Sequence, residues 1–64
     1  MNIGDVHTDE FGNSVIIIDV DNNIIKFNYI ECNYIHRYFH DTFLKIYRFN
    51  QKLTDLQAIK DIIE

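Results

Sequence analysis

The chain has 64 residues, a single cysteine and no proline, and its formal net charge is −4. This length allows only one domain, residues 1–64, and one cysteine excludes an internal disulfide and is typical of a reducing compartment. The excess of acid argues against non-specific binding to nucleic acid, which depends on neutralising phosphates. Residues 1–10 show no signal-peptide pattern, and no apolar run approaches the roughly 20 residues of a membrane helix. We therefore expect a soluble cytoplasmic protein with no membrane contact.

Charge is unevenly distributed along the chain. Residues 1–31 contain six acids and one base, whereas residues 36–52 contain four bases and one acid. Such a division favours electrostatic orientation of a binding partner. A domain of this size buries only about 60% of its unfolded surface, so we also expect a homo-oligomer, most simply a dimer, to supplement the core.

The first predicted strand covers residues 5–8. Alternation places Val6 inward and Asp5 and His7 outward. The acidic segment that follows has turn chemistry, in which Gly12 or Asn13 can take a positive φ at little cost.

A β-hairpin follows this turn. Residues 14–20 are too apolar to alternate, which is typical of a central strand covered on both faces. An Asp-Asn-Asn turn at residues 21–23 connects this strand to residues 24–30. The second strand alternates, with one face formed by Ile25, Phe27 and Tyr29 and the other by Ile24, Lys26 and Asn28.

The next segment allows two interpretations. After a predicted turn at residues 31–33, residues 34–38 fit a fourth strand but also fit the start of a helix that continues to residue 47. The density of β-branched and aromatic residues lowers helix propensity, so we favour a strand followed by a short helix at residues 40–47.

The last predicted element is a helix over residues 54–63. Thr54 and Gln57 have the spacing of a capping box, and Asp55 lies where the helix dipole favours a carboxylate. An apolar stripe at helical spacing, which we predict to mediate self-association, consists of Leu56, Ile59, Ile62 and Ile63.

These elements predict a mainly β (α+β) fold: a small SH3-like barrel or a curved antiparallel sheet of four to five strands, with a short helical turn and a C-terminal helix. Residues 4–49 would form the β-rich core. The order of Gly4-Asp5-Val6, Phe11-Gly12-Asn13, the Val/Ile-rich hairpin and the aromatic-basic segment 43–49 resembles small phage- and prophage-encoded proteins of unknown function with an SH3-like β-barrel. The resemblance implies an accessory protein that inhibits or modulates a host protein in the host cytoplasm, and it implies no catalytic residues.

Two residue groups have metal-binding alternatives. Cys32, His36 and His40 would share one face of a helix and suit zinc, but a strand over residues 34–38 separates them, and we predict no metal or other cofactor. The segment 19–23 lacks the glycine and closing glutamate of a calcium loop, so we interpret it as a turn.

Acid–base pairs could be drawn between Asp5 and His7 or between His40 and Asp41. The chain has no nucleophile elbow, phosphate loop or paired-carboxylate motif. We therefore predict that the protein is not an enzyme.

Aromatic and basic residues interleave over residues 34–49, and this segment carries the functional prediction. Tyrosine and arginine are enriched in the centres of protein interfaces, which favours a protein-binding module. The predicted contact residues are Tyr34, Arg37, Tyr38, Tyr47 and Arg48. The alternative is a small nucleic-acid-binding module that stacks bases on the aromatic side chains of the same segment.

Overall fold

The computed structural model describes residues 1–30 and 32–63, with side chains through residue 60. Its elements are β1 (Val6–Thr8), β2 (Ser14–Asp21), β3 (Ile24–Tyr29), β4 (His36–Phe39), α1 (His40–Ile46), β5 (Arg48–Phe49) and α2 (Gln51–Ile63). The predicted class is confirmed, including the short helix after the fourth strand and the C-terminal helix. The predicted turn at residues 31–33 includes residue 31, which lies outside the described residues.

The five strands form one antiparallel sheet in the order β4-β3-β2-β1-β5. Four consecutive strands make a meander, and β5 then returns to the free side of β1. The sheet is open, with β4 and β5 as its two edges, so the fold is the curved sheet rather than the closed barrel. The register between β2 and β3 shifts between Ile17 and Asp19, as it does at a β-bulge.

The main core lies between the sheet and α1. Directly opposed residues of neighbouring strands point to the same face, and the register pairs Val15 with Tyr29 and Ile17 with Phe27. These apolar side chains pack against residues contributed by α1 and the segment after it. The buried cluster is Val15, Ile17, Ile25, Phe27, Phe43 and Tyr47.

β1 is covered on both faces, which makes one prediction wrong. His7 was expected to point outward, but it is 3% exposed and shares the face of Val15, while Val6 is fully buried on the other face. The reason is that β1 is an interior strand, because β5 pairs with its outer side. α1 covers the face of β1 that carries His7, and α2 also packs against β1.

α2 begins three residues earlier than predicted, and Thr54 is not its cap. The side-chain oxygen of Asn50 accepts the amide of Leu53 at 3.0 Å, as an N-cap residue does. Thr54 Oγ1 instead accepts the amide of Val6 at 2.8 Å and donates to the carbonyl of Asn50 at 2.8 Å. The Thr54 hydroxyl, which the sequence predicts to cap α2, therefore forms a contact with β1 instead.

Candidate functional site

The five predicted contact residues do not form one surface. Tyr34 is 69% exposed just before β4, Arg37 is exposed on β4, and Tyr38 is half-buried against Phe27 with ring centroids 5.1 Å apart. Arg48 is exposed on β5, at the opposite edge of the sheet. The contiguous aromatic-basic segment of the sequence is thus divided between two edges.

Tyr47 is a core residue and cannot contact a partner from its position. Its side chain is 2% exposed, its ring stacks on Phe43 at 4.9 Å, and its hydroxyl lies 2.8 Å from that of Tyr29. Burial, together with the Tyr29 hydroxyl, raises the pKa of Tyr47. Phe43 and Tyr47 are four residues apart, and both are buried in the core. Phe39, which lies four residues before Phe43, is 66% exposed.

A groove lies beside Arg48, between the β1–β2 turn and the end of α1. Its volume is about 420 Å³, and its lining residues are Thr8, Asp9, Glu10, Phe11, Lys45, Ile46 and Arg48. Phe11 is 81% exposed and Ile46 is 43% exposed. We call this site the turn–helix groove. It places two large apolar side chains in solvent next to charged ones.

Hydrogen bonds within the turn build the wall that carries Phe11. The carboxylate of Asp9 accepts the amides of Phe11 at 3.0 Å and Asn13 at 2.8 Å, and Gly12 has a φ of 86°. Desolvation opposes ionisation of Asp9, but the hydrogen bonds from Asn13 and Phe11 outweigh it and lower the pKa of this carboxyl. Asp9 is therefore occupied in shaping the turn, which leaves Glu10 as the acidic group available in the groove.

The opposite wall of the turn–helix groove is basic. Lys45 and Arg48 are both exposed, and neither forms an ion pair with a described carboxylate. The sequence predicts a contact role for Arg48 but not for Phe11 or Ile46. A phenylalanine among the polar residues of a tight turn was the available signal, since such a side chain has no element to pack against.

The predicted self-association stripe on α2 is exposed where it is described. Leu56 is 51% exposed and Ile59 is 52% exposed. The side chains of Ile62 and Ile63 lie outside the described residues. Self-association through α2 stays a prediction.

The residues with metal-binding or catalytic alternatives are dispersed. Cys32 is exposed in the loop before β4, His36 stacks on Phe27 at 5.5 Å, and His40 begins α1 with Nδ1 3.6 Å from a carboxylate oxygen of Asp41. Among the described residues, no three His, Cys, Asp or Glu side chains are placed to hold a metal ion. Asp21 accepts the amide of the adjacent Asn22, as a turn residue does.

Within residues 1–30 and 32–63, no helix has the length and apolar character needed to cross a membrane. Comparison of the chain with protein-family models, with curated proteins and with solved structures gives no match.

Proposed function

We propose that the protein is a non-enzymatic binding module that holds an extended segment of a partner protein in the turn–helix groove. One observation carries the proposal: Phe11 and Ile46 expose apolar surface in the same groove as Lys45 and Arg48, whose charges have no described carboxylate partner. Exposed apolar groups beside unpaired cations suit a ligand that has both an apolar and an acidic group. The resemblance to phage-encoded proteins would make that partner a host protein.

The lining of the groove defines the chemistry of the segment. An apolar side chain of the partner would lie between Phe11 and Ile46, where aromatic anchors contribute strongly to binding. An acidic residue next to it would face Lys45 and Arg48. Glu10 on the other wall would repel a segment bound in the reverse direction, so charge sets the orientation of the partner more than its affinity.

The aromatic and basic residues on which the nucleic-acid alternative depends do not all lie on one surface. Binding of single strands needs successive exposed aromatic faces beside cations. Tyr47 is buried, Tyr38 is half-buried, and Arg37 and Arg48 lie at opposite edges of the sheet.

The test is affinity for peptides selected from a random library against the full chain. We expect the selected peptides to combine an apolar and an acidic residue, and Phe11→Ala to weaken their binding by about tenfold or more. Tyr34→Ala is the matched control, because Tyr34 is a similarly exposed aromatic residue at the other edge. Arg48→Glu should also weaken binding, with Lys52→Glu as its exposed control.

Two results would contradict the proposal. One is selection of peptides whose affinity is unchanged by Phe11→Ala. The other is tighter binding of a single-stranded oligonucleotide than of any selected peptide, with an affinity that falls steeply as salt rises, as phosphate binding does.

A further inference from the structure

A second, independent feature lies at the opposite edge of the sheet. β4 is an edge strand with exposed apolar neighbours: Phe39 is 66% exposed, Ile24 on the adjacent strand 37%, and Ile35 just before β4 43%. Native edge strands are usually protected from pairing by short length, charged side chains, proline, bulges or a covering element, and β4 has the first two of these in its four residues and Arg37. β4 has no proline, and its register with β3 is regular over all four residues.

The hydrogen-bonding pattern shows which backbone groups are open. The amide of His40 donates to the carbonyl of Asn23 at 2.7 Å, directly beyond the end of β4. Hydrogen-bonded positions alternate along an antiparallel pair, so His36 and Tyr38 bond to β3. The backbone N–H and C=O groups of Arg37 and the N–H of Phe39 consequently point away from the sheet, whereas the carbonyl of Phe39, the N-cap residue of α1, accepts the first bond of that helix.

We propose that this edge binds the same edge of a second copy of the chain, forming a symmetric dimer with a continuous ten-stranded sheet. The occupant is inferred from the arrangement of two residues. Arg37 and Phe39 are two apart, so both side chains lie on one face of β4. An isologous contact between antiparallel strands brings each residue against its counterpart according to the register.

One register suits both residues. If Arg37 faced Arg37 of the second copy, two like charges would be directly opposed, which destabilises a strand pair. If Phe39 faced Phe39, each copy would use only one outward residue, because α1 begins at His40. With Arg37 opposite Phe39 of the second copy, the amide of each Phe39 donates to the open carbonyl of the opposing Arg37, and each guanidinium lies over an aromatic ring, twice by symmetry.

The neighbouring surface supports this register. A hollow of about 200 Å³ at the β4 edge is lined by Ile24, Arg37, Tyr38, Phe39 and Thr42, and the second strand would pass over it. Tyr34 precedes β4 and would come opposite the first turn of α1 in the second copy. The register thus covers Tyr34 and Phe39, two of the most exposed aromatic side chains of the described chain.

Sedimentation equilibrium of the full chain over a wide concentration range tests the proposal. We expect a reversible dimer whose dissociation constant rises about tenfold or more in Phe39→Arg, since two pairs of like charges then face each other and two ring contacts are lost. Phe39→Glu places a carboxylate opposite each Arg37. It should dimerise at least about tenfold more tightly than Phe39→Arg, because opposite charges then replace like charges.

The other outcomes overturn the proposal. They are a wild-type monomer at every concentration, equal dimerisation of wild type and Phe39→Arg, or equal weakening by Phe39→Arg and Phe39→Glu. A dimer that is lost in Leu56→Asp/Ile59→Asp but kept in Phe39→Arg would assign self-association to α2. Circular dichroism of each variant distinguishes loss of dimerisation from loss of folding, and peptide binding in the turn–helix groove should survive both Phe39 substitutions.

Discussion

Among the described residues, His7 alone buries a side-chain polar atom, Nδ1, without a hydrogen-bond partner. Its ring lies edge-on to Phe43 at 5.1 Å and to Phe49 at 5.6 Å. Desolvation lowers the pKa of His7; the N-terminal charge adds to this effect, and Asp5 opposes it. The folded state therefore holds a neutral imidazole among aromatic rings.

This lowered pKa predicts a loss of stability in mild acid. Above the unfolded-state pKa of about 6.5, His7 is neutral in both the folded and the unfolded state, so its titration does not change the free energy of unfolding. As the pH falls below that value, the unfolded chain takes up a proton that the folded chain does not, so the free energy of unfolding decreases. We expect denaturant titrations of wild type to show this decrease between about pH 6.5 and 5, above the range where carboxylates titrate.

Two variants identify the residue responsible. His7→Phe should lose this dependence and be at least as stable at neutral pH, because an unsatisfied buried polar atom is removed. His40→Gln, at a half-buried position beside Asp41, should keep the wild-type dependence. An unchanged slope in His7→Phe would assign the effect to another group.

Tyr47 supplies the second residue-scale prediction. Tyr47→Phe keeps the ring in the core but removes the 2.8 Å contact with the Tyr29 hydroxyl, so we expect the free energy of unfolding to fall by about 1 kcal/mol. Affinity for selected peptides should stay the same, since Tyr47 is not in the groove. A double-mutant cycle with Tyr29→Phe measures the coupling, and a peptide affinity that changes more than the stability would restore Tyr47 to the binding site.

At the scale of elements, α2 is attached to the sheet through β1. The amide of Val6 donates to Thr54 Oγ1, and the amide of Asn50 donates to the carbonyl of Val6 at 2.8 Å. These contacts join the helix and β5 to the same short strand. α2 therefore contributes to the stability of β1 as well as covering it.

We expect Thr54→Ala to cost about 1–3 kcal/mol of unfolding free energy, because the buried amide of Val6 loses its acceptor. Thr54→Ser keeps the hydroxyl and should cost much less. Hydrogen exchange at the Val6 amide should accelerate in Thr54→Ala only. Equal exchange in both variants would mean that the hydroxyl does not hold β1.

The elements that were predicted correctly are those encoded by local patterns. The Val/Ile runs around Asp21, Asn22 and Asn23 specify β2, β3 and their two-residue turn without help from the rest of the chain. The errors about His7 and Thr54 both involve β1 and what packs on it. β5 has only two residues, too few for a pattern, yet its return to β1 decides the burial of His7. The contact between Val6 and Thr54 likewise joins residues 48 positions apart, beyond any sequence window.

At the scale of the whole molecule, the proposed dimer should be linked to folding. A small domain has a marginal core, and a ligand that binds only the folded state raises its stability by mass action. We expect the thermal unfolding midpoint of wild type to rise with protein concentration, and the midpoint of Phe39→Arg to begin rising only at concentrations about tenfold higher or more. Calorimetry at several concentrations measures both midpoints. If the two midpoints changed with concentration in the same way, dimerisation through β4 would not be linked to folding.

The position of β1 in the chain also has a kinetic consequence. This strand is synthesised before the other four strands, but its outer partner β5 and the helix that holds it come from residues 48–63. The hairpin of β2 and β3 can close early, because its contacts are local. β1 must wait for a long loop to close, and such non-local contacts slow folding. On a ribosome, the edge of β2 would therefore stay unprotected until residues 48–54 have emerged.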